Sequence, residues 1–444
     1  MDNKTLADQL VKRCLKKGAD AAEVYLESNR QLSIEIRNGQ IETVQEAASA
    51  GAGVRVLIGG RLAFASVNDL RDAALDDAIG RAVGFARITT ADPDNVLPDD
   101  PTTVDVAGLY DPAIAATPLD QKIAMIMTAE KEAMKDPRIT KSAGAAYGEG
   151  ESEVVIANST GLLKTSKASG CNFGVSVVAE KGEQKSSGGE YCGRRFFADL
   201  KTPAEVAAKA ARKAYETLDP KPVKTQKAAV IFDTDVADTL LAGILGAIDG
   251  ESVLQGASFL GGKLDLKIAS ELLTVIDDGL RPKGPASAPF DGEGVTTQTR
   301  VIIDKGVLKG FLYNTIIGKK AGVKSTGNAS RGGFTGLPGI GSHNFTMSAG
   351  TVKPEDIIKA TKKGLLLKEV TGYGINPVNG QFSGGASGFW IENGKIAFPV
   401  RGLTIAGSAD EMFNGIDMVA DDADLNRGLA APTFRIKLMQ IGGE

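Results

Sequence analysis

The chain has 444 residues, too many for one hydrophobic core, so two or three domains are expected. Its 42% hydrophobic and 24% charged residues suit a soluble protein, and a formal net charge of −4 with interspersed Lys and Arg supplies no basic stripe for direct nucleic-acid binding. No run approaches the roughly 18 apolar residues of a membrane span. The start MDNKTLADQL lacks a secretory pattern, and three cysteines (Cys14, Cys171, Cys192) fit a reducing compartment, so a cytoplasmic location is expected.

In chain order, TLAD at Thr5 reads as the start of a helix ending near Gly18. Four strand-like runs follow, AAEVYLES, QLSIEIR, QIETVQEAA and GAGVRVLI, with Asn38-Gly39 joining the second to the third as a hairpin. RLAFASV, a helix over about 69–87 and a Pro/Asp-rich linker complete the first unit. The next stretch repeats that order. TPLD at Thr117 opens a helix; the strand runs SEVVIAN, LLKTSKAS, CNFGVSVVAE and GGEYCGRRFF follow; TPAE at Thr202 opens another helix. Cys171 and Cys192 lie symmetrically about Lys181 and Gly182, which predicts a reduced pair facing across a hairpin in preference to a disulfide. From about Lys224 the sequence turns to strands, glycines and tight turns at Asp304, Asn379-Gly380 and Asn393-Gly394, with short helices expected at 235–249, 314–321 and 354–363. The fold class is α+β: a duplicated helix–antiparallel-strands–helix part (1–105 and 106–223), then a mainly antiparallel β-rich domain (224–444).

Residues that could carry chemistry are few. His343 is the only histidine, and a catalytic zinc takes three protein ligands. DDADLNRG at Asp421 fails as a calcium loop, because Arg427 stands where glycine is needed. GASGF around Ser387 misses G-x-S-x-G at Phe389. The glycine-rich segment STGNASRGGFTGLPGIGSHNF, residues 325–345, is either a long surface loop or the lining of a cleft that offers backbone groups to an extended peptide. Its cleft candidates are Ser325, Thr326, Gly327, Asn328, Ser330, Arg331 and His343, with Arg331 able to meet a peptide carboxylate or to form a surface ion pair.

The runs INPVNGQFSGGASGFWIENGKIAFPVRGLTIAGS, APFDGEGVTTQTRVIIDKGVLKGFLYN with the following STGNASR, and SIEIRNGQIETV closely resemble the PmbA (TldE) branch of the TldD/PmbA family, the "modulator of DNA gyrase" proteins. The resemblance spans essentially the whole chain. It implies a two-component metallopeptidase whose TldD-like subunit carries H-E-x-x-x-H on a helix, with a cysteine near its C-terminus completing a zinc site. In TLLAGILGAIDGES, residues 239–252, Ala242 and Ala247 then stand at the histidine positions and Gly243 at the glutamate; DLNRGLAAPTFRIKL has no cysteine to offer. The expectation is a subunit without metal or other cofactor, paired with a zinc-bearing TldD-like chain or with itself, that shapes a chamber for small or unfolded peptides. The alternative is a homo-oligomeric peptide-binding or adaptor protein without peptidase activity.

Overall fold

The computed structural model describes residues 2–372 and 374–444. Helix α1 (Asn3–Lys16) leads into β1 (Ala21–Arg37), β2 (Gln40–Ile58), β3 (Arg61–Val67) and α2 (Asp72–Ala86). After α3 (Pro112–Ala116) the pattern recurs as α4 (Leu119–Ala133), β4 (Ile139–Asn158), β5 (Leu163–Lys181), β6 (Gln184–Arg194) and α5 (Pro203–Glu216). All six strands form one antiparallel sheet in the order β3-β2-β1-β4-β5-β6, so the two units mirror each other about the β1–β4 seam.

The helices all lie on one face of this sheet. Alternate residues of a strand share a face, and Ala22, Val24 and Leu26 of β1 pack with α1 and α2, while Ile34 and Ile36 pack with α4 and α5. The opposite face starts a separate cluster, where Tyr25 and Ile156 meet Leu162 and Phe290. Helix ends follow local rules. Thr202 and Glu205 make a reciprocal capping box on α5, worth about 1 kcal/mol. On α1 the cap is Asp2, whose carboxylate accepts from Thr5 N at 2.9 Å, so Thr5 lies inside the first turn instead of starting it.

Two expectations for this part are corrected. Each pair of strand runs on either side of Asn38-Gly39 is one long strand of 17 or 19 residues, because the polar stretch at 28–31 and the small-residue stretch at 47–51 continue the ladder instead of breaking it. The β5–β6 turn is Gly182-Glu183, with Gly182 at φ +60° and Lys181 paired to Gln184. That register sets Cys171 opposite Arg194 and Cys192 opposite Phe173. Both cysteines are free and buried in the α4/α5 core.

Beyond residue 224 come β7 (Gln226–Phe232), α6 (Asp238–Ala247), α7 (Gly250–Leu254), β8 (Val275–Asp278), β9 (Thr299–Asp304), β10 (Val307–Leu308) and α8 (Thr315–Lys320). Then follow β11 (Ala329–Ser330), β12 (Gly339–Ile340), β13 (Asn344–Met347), α9 (Pro354–Lys359), β14 (Lys363–Thr371), β15 (Gln381–Glu392) and β16 (Lys395–Ser408). The chain ends with α10 (Ala409–Asn414), β17 (Ile416–Val419), β18 (Leu429–Ala430) and β19 (Phe434–Gly442). Strands β16-β15-β14-β7-β19 run in order, and β19 pairs back to β16, which closes a ring. Phe232 and Phe434, direct neighbours on β7 and β19, stack with ring centres 4.9 Å apart. A second sheet, β10-β9-β8-β13-β18, packs α6 between itself and the ring; Leu240, Leu241 and Ile244 share one core with both. Lys305 and Gly306, at φ +44° and +80°, make the β9–β10 hairpin turn, and Asn393-Gly394 does the same for β15–β16. Asn379-Gly380 instead ends a coiled connection in which Gly380 N donates to Asn376 O, so no two-residue hairpin forms there.

Candidate functional site

Helix α6 is where the resemblance sets a metal motif, and its surroundings show what those positions can hold. Ala242 faces outward and is exposed, whereas Ala247 is fully buried in the ring core. Gly243 is covered by the segment after β14: a Cβ on it would lie 2.6 Å from the Cβ of Ile375. A glutamate there has no room, and a histidine at 247 would point into carbon. Among the described residues, no three His, Cys, Asp or Glu side chains converge as a ligand set. The donor chemistry at α6 therefore does not fit a zinc ion.

The C-terminal segment that should bring a cysteine brings Arg427. Its guanidinium donates to Thr234 O at 3.2 Å and to Asp235 Oδ1 at 2.9 Å, just ahead of α6. Lys213 of α5 holds the other Asp235 oxygen at 2.7 Å. Burial pushes the Asp235 carboxyl up, but Lys213, Lys209 and Arg427 outweigh it and the net shift is well down. The group is a fixed anion inside a cationic cage.

The glycine-rich segment divides into two polar knots. In the first, Asp277 of β8 accepts from His343 N at 2.7 Å and from Asn328 Nδ2 at 2.7 Å. The His343 ring nitrogen Nε2 meets Gly327 O at 2.8 Å, so the imidazole donates there. Burial raises the Asp277 carboxyl, and the adjacent His343 opposes that. Ser325 and Thr326 hydroxyls both bond Tyr313 O, and Thr326 accepts from Tyr313 N at 2.8 Å. Asn328 is 1% exposed, and its Oδ1 has no partner among the described residues.

The second knot joins this segment to the N-terminal sheet. Arg55 on β2 binds Glu23 on β1 at 2.6 Å and Glu293 at 2.9 Å; Arg331 binds the other Glu23 oxygen, Gly292 O at 2.6 Å and Gly336 O at 3.2 Å. All four charged side chains are at most 1% exposed. Two cations and two anions balance, and Glu293 also accepts from Thr315 N at 2.8 Å. Asp291 adds a fifth ionisable group. Its carboxylate accepts backbone N–H groups from Glu293, Val295 and Ala329, each at 2.9 Å, yet burial and then the neighbouring Glu293 push it up to about 7. Phe334 lies on Gly51 so closely that a Cβ there would come within 2.2 Å of its ring.

The structure thus brings Thr326, Gly327, Asn328 and His343 together but buries the first three, sets Ser325 half-buried at their edge, and leaves Ser330 exposed. Arg331 is neither a surface ion pair nor an open receptor for a carboxylate, since its guanidinium is committed to Glu23 and two carbonyls. Sequence reasoning missed Glu23, Arg55, Asp291 and Glu293. A signal existed for two of them: Glu23 in AAEVYL and Arg55 in GVRVLI are single charges inside apolar strand runs, which a buried pair explains. Open concavities lie elsewhere: a hollow of about 870 Å³ at the ring mouth, lined by Gln381, Ser383, Ser408, Lys437 and Gln440, and a trough of about 370 Å³ on the helix-free sheet face, lined by Gln31, Ser33, Ala47, Gly148 and Asn172.

Known proteins with this arrangement agree along the whole chain. Residues 22–86 match the profile of PmbA/TldA metallopeptidase domain 1, residues 112–218 the central domain and residues 225–443 the C-terminal domain. Metalloprotease PmbA of Escherichia coli O157:H7 is 32% identical over 433 residues, which is 96% of this chain and 93% of that protein. The chain belongs to the PmbA/TldD family. The metalloprotease TldD homologue of Haemophilus influenzae is 27% identical over 96% of this chain and 93% of its own length. Among solved structures, a candidate modulator of DNA gyrase from Bacteroides thetaiotaomicron has a TM-score of 0.91 at 29% identity, covering 100% of this chain and 99% of its own. TldE from Thermococcus kodakarensis has a TM-score of 0.91 at 25% identity, covering 99% of this chain and 100% of its own. No helix of the described residues is long and apolar enough to cross a membrane.

Proposed function

We propose that this chain is the non-metal subunit of a two-component PmbA/TldD peptidase, pairing with a zinc-bearing TldD-like chain and shaping the space in which small or unfolded peptides are cut. The observation that carries this reading is the packing around α6. Ile375 occupies the space above Gly243, and Ala247 is sealed in the core, so neither a general base nor a second ligand can be accommodated without moving the ring. A zinc-bound water needs both a ligand set and a base. In a family of metallopeptidases, a member that keeps the helix and fills its chemistry with carbon fits a supporting role.

The peptide-holding contribution rests on the exposed part of the glycine-rich segment, Ser330 and the β11–β12 connection, where Gly332, Thr335 and Leu337 are also exposed. An extended peptide can be held there by main-chain hydrogen bonds. The test is a gentle pull-down of the tagged chain from its native cells. A near-stoichiometric paralogue carrying H-E-x-x-x-H supports the reading; recovery of the chain alone, with such a paralogue expressed, overturns it.

A further inference from the structure

Strand β19 changes neighbours along one edge. There it pairs with β17 up to Ile436 and with β16 only from Gln440, while β7 runs along its other edge. At the handover the ladder to β7 shifts: Ile436 faces Val230 and Met439 faces Ala228, so β19 carries an extra residue. A bulge of this kind re-aims side chains. Here it turns two consecutive ones outward. Lys437 and Leu438 are both exposed between buried Ile436 and Met439, and Leu438 is 55% exposed.

These two residues stand on the ridge between two hollows. One is the hollow of about 870 Å³ at the ring mouth; the other, of about 610 Å³, continues past Thr361, Lys362 and Lys363. Lys227, Lys437 and Leu438 bound both. The walls are positive although the whole chain carries −4. Lys227, Lys362, Lys363 and Lys437 are exposed, and none of them forms an ion pair among the described residues. The carboxylates nearby are mostly committed. Asp417 holds Arg435 through both oxygens at 2.8 Å, and Glu411 accepts from Ser408 in the cap of α10. Glu392 is the remaining acidic side chain on the walls. The far wall of the larger hollow is uncharged, and Asn376, Gln381, Ser383 and Gln440 there can donate and accept hydrogen bonds.

We infer that the joined hollows are a docking groove for an acidic, extended peptide segment. Its carboxylates meet the four lysines, an apolar side chain rests on Leu438, and its main chain meets the amide and hydroxyl wall. Uncompensated positive charge selects an anion and speeds its encounter. The amides and the exposed leucine select a peptide among anions. A single-stranded nucleic acid is matched less well, because Phe382, the aromatic side chain lining these walls, is buried and offers no face for base stacking. A free phosphate would leave Leu438 and the amide wall unused. No residue of the segment 325–345 lines either hollow, so the groove is separate from it.

The inference does not rest on the peptidase reading, since this chain alone should bind. The experiment is fluorescence anisotropy of the purified full-length chain with a labelled oligoglutamate peptide that carries one central leucine. Saturable binding is expected, weakening as salt rises. Lys227→Glu combined with Lys437→Glu should raise Kd about tenfold or more. Lys4→Glu combined with Lys131→Glu makes the same change in net charge at exposed positions on other elements and should alter Kd by less than about twofold. Leu438→Ser should weaken binding severalfold and leave the salt dependence as it was. All five positions are exposed, so thermal unfolding of every variant should match the natural chain. Four results would each overturn the proposal: no saturable binding, equal losses in the two double variants, equal binding of the peptide with glutamine in place of glutamate, or oligothymidylate bound as tightly as the peptide. None of these readouts involves zinc or cleavage, so failure here and failure of the functional reading are told apart.

Discussion

Helix α6 and the segment 325–345 make opposite uses of similar opportunity. Both lie where a peptidase of this family could keep chemistry. In α6 the reactive positions are alanine and glycine, and neighbouring carbon has closed over them. In 325–345 polar groups abound, but they are spent on one another: Asp277 on Asn328 and His343, Arg331 on Glu23. One region holds no donors, while the other has satisfied its own. A count of polar residues in the sequence therefore misleads in both directions, and only their partners say whether a group is free to act.

The largest effect that tests this contrast is at Arg55. Arg55→Met leaves Glu23 and Glu293 buried with less compensation, and breaking such a pair costs about 3–5 kcal/mol. Urea unfolding should show that loss, and an unchanged midpoint would mean the knot is open to water. Next comes Gly243→Glu, which sets a carboxylate at the position where the resemblance implies a base. Overpacking against Ile375 should cost about 1–3 kcal/mol, with no zinc acquired on dialysis and metal analysis. Stoichiometric zinc in that variant would contradict the reading that α6 cannot hold a metal.

A smaller effect follows from Asp291. Its carboxyl titrates near 4 when unfolded and is raised to about 7 in the fold, so the folded chain binds the extra proton between those values. Stability from this group is therefore fullest below about pH 4, falls as pH rises towards 7 and is level above it. Melting curves from pH 4 to 8 should show that downward component, and Asp291→Asn should reduce it, leaving the part of the same sign that comes from Asp277, which burial also raises. Carboxylates shifted down, such as Asp235, contribute with the opposite sign and at lower pH, so they do not mask it. Smallest is Ser330→Ala: the side chain is exposed, so unfolding should change by no more than about 0.5 kcal/mol. A fall in peptide affinity of the assembled complex with stability intact would assign the segment its binding role.

Much of the fold could be read from residues near each other in sequence. Asn38-Gly39 and Asn393-Gly394 announced hairpins because consecutive positive φ angles suit those residues. Helix α5 announced itself through Thr202-Pro203 and Glu205. The first half of β4, ITKSAGAAYGEG, went unread because Gly, Ala and Ser carry little strand preference; there, pairing with β1 and β5 decides. The cysteine register failed by two residues because Gly182, not Lys181, takes the first turn position. The site was least legible. Glu23 and Glu293 are far apart in sequence and meet only through Arg55, a partnership that no local pattern encodes.

The central claim is that metal and hydrolysis belong to a partner while this chain supplies form. Reconstitution tests it most directly: purified chain, purified TldD-like paralogue and their mixture, each measured for bound zinc and for cleavage of an unstructured peptide with and without chelator. The expected result is no zinc and no cleavage for this chain, and chelator-sensitive cleavage for the mixture above that of the paralogue alone. One zinc per chain together with cleavage by this chain on its own would contradict the account.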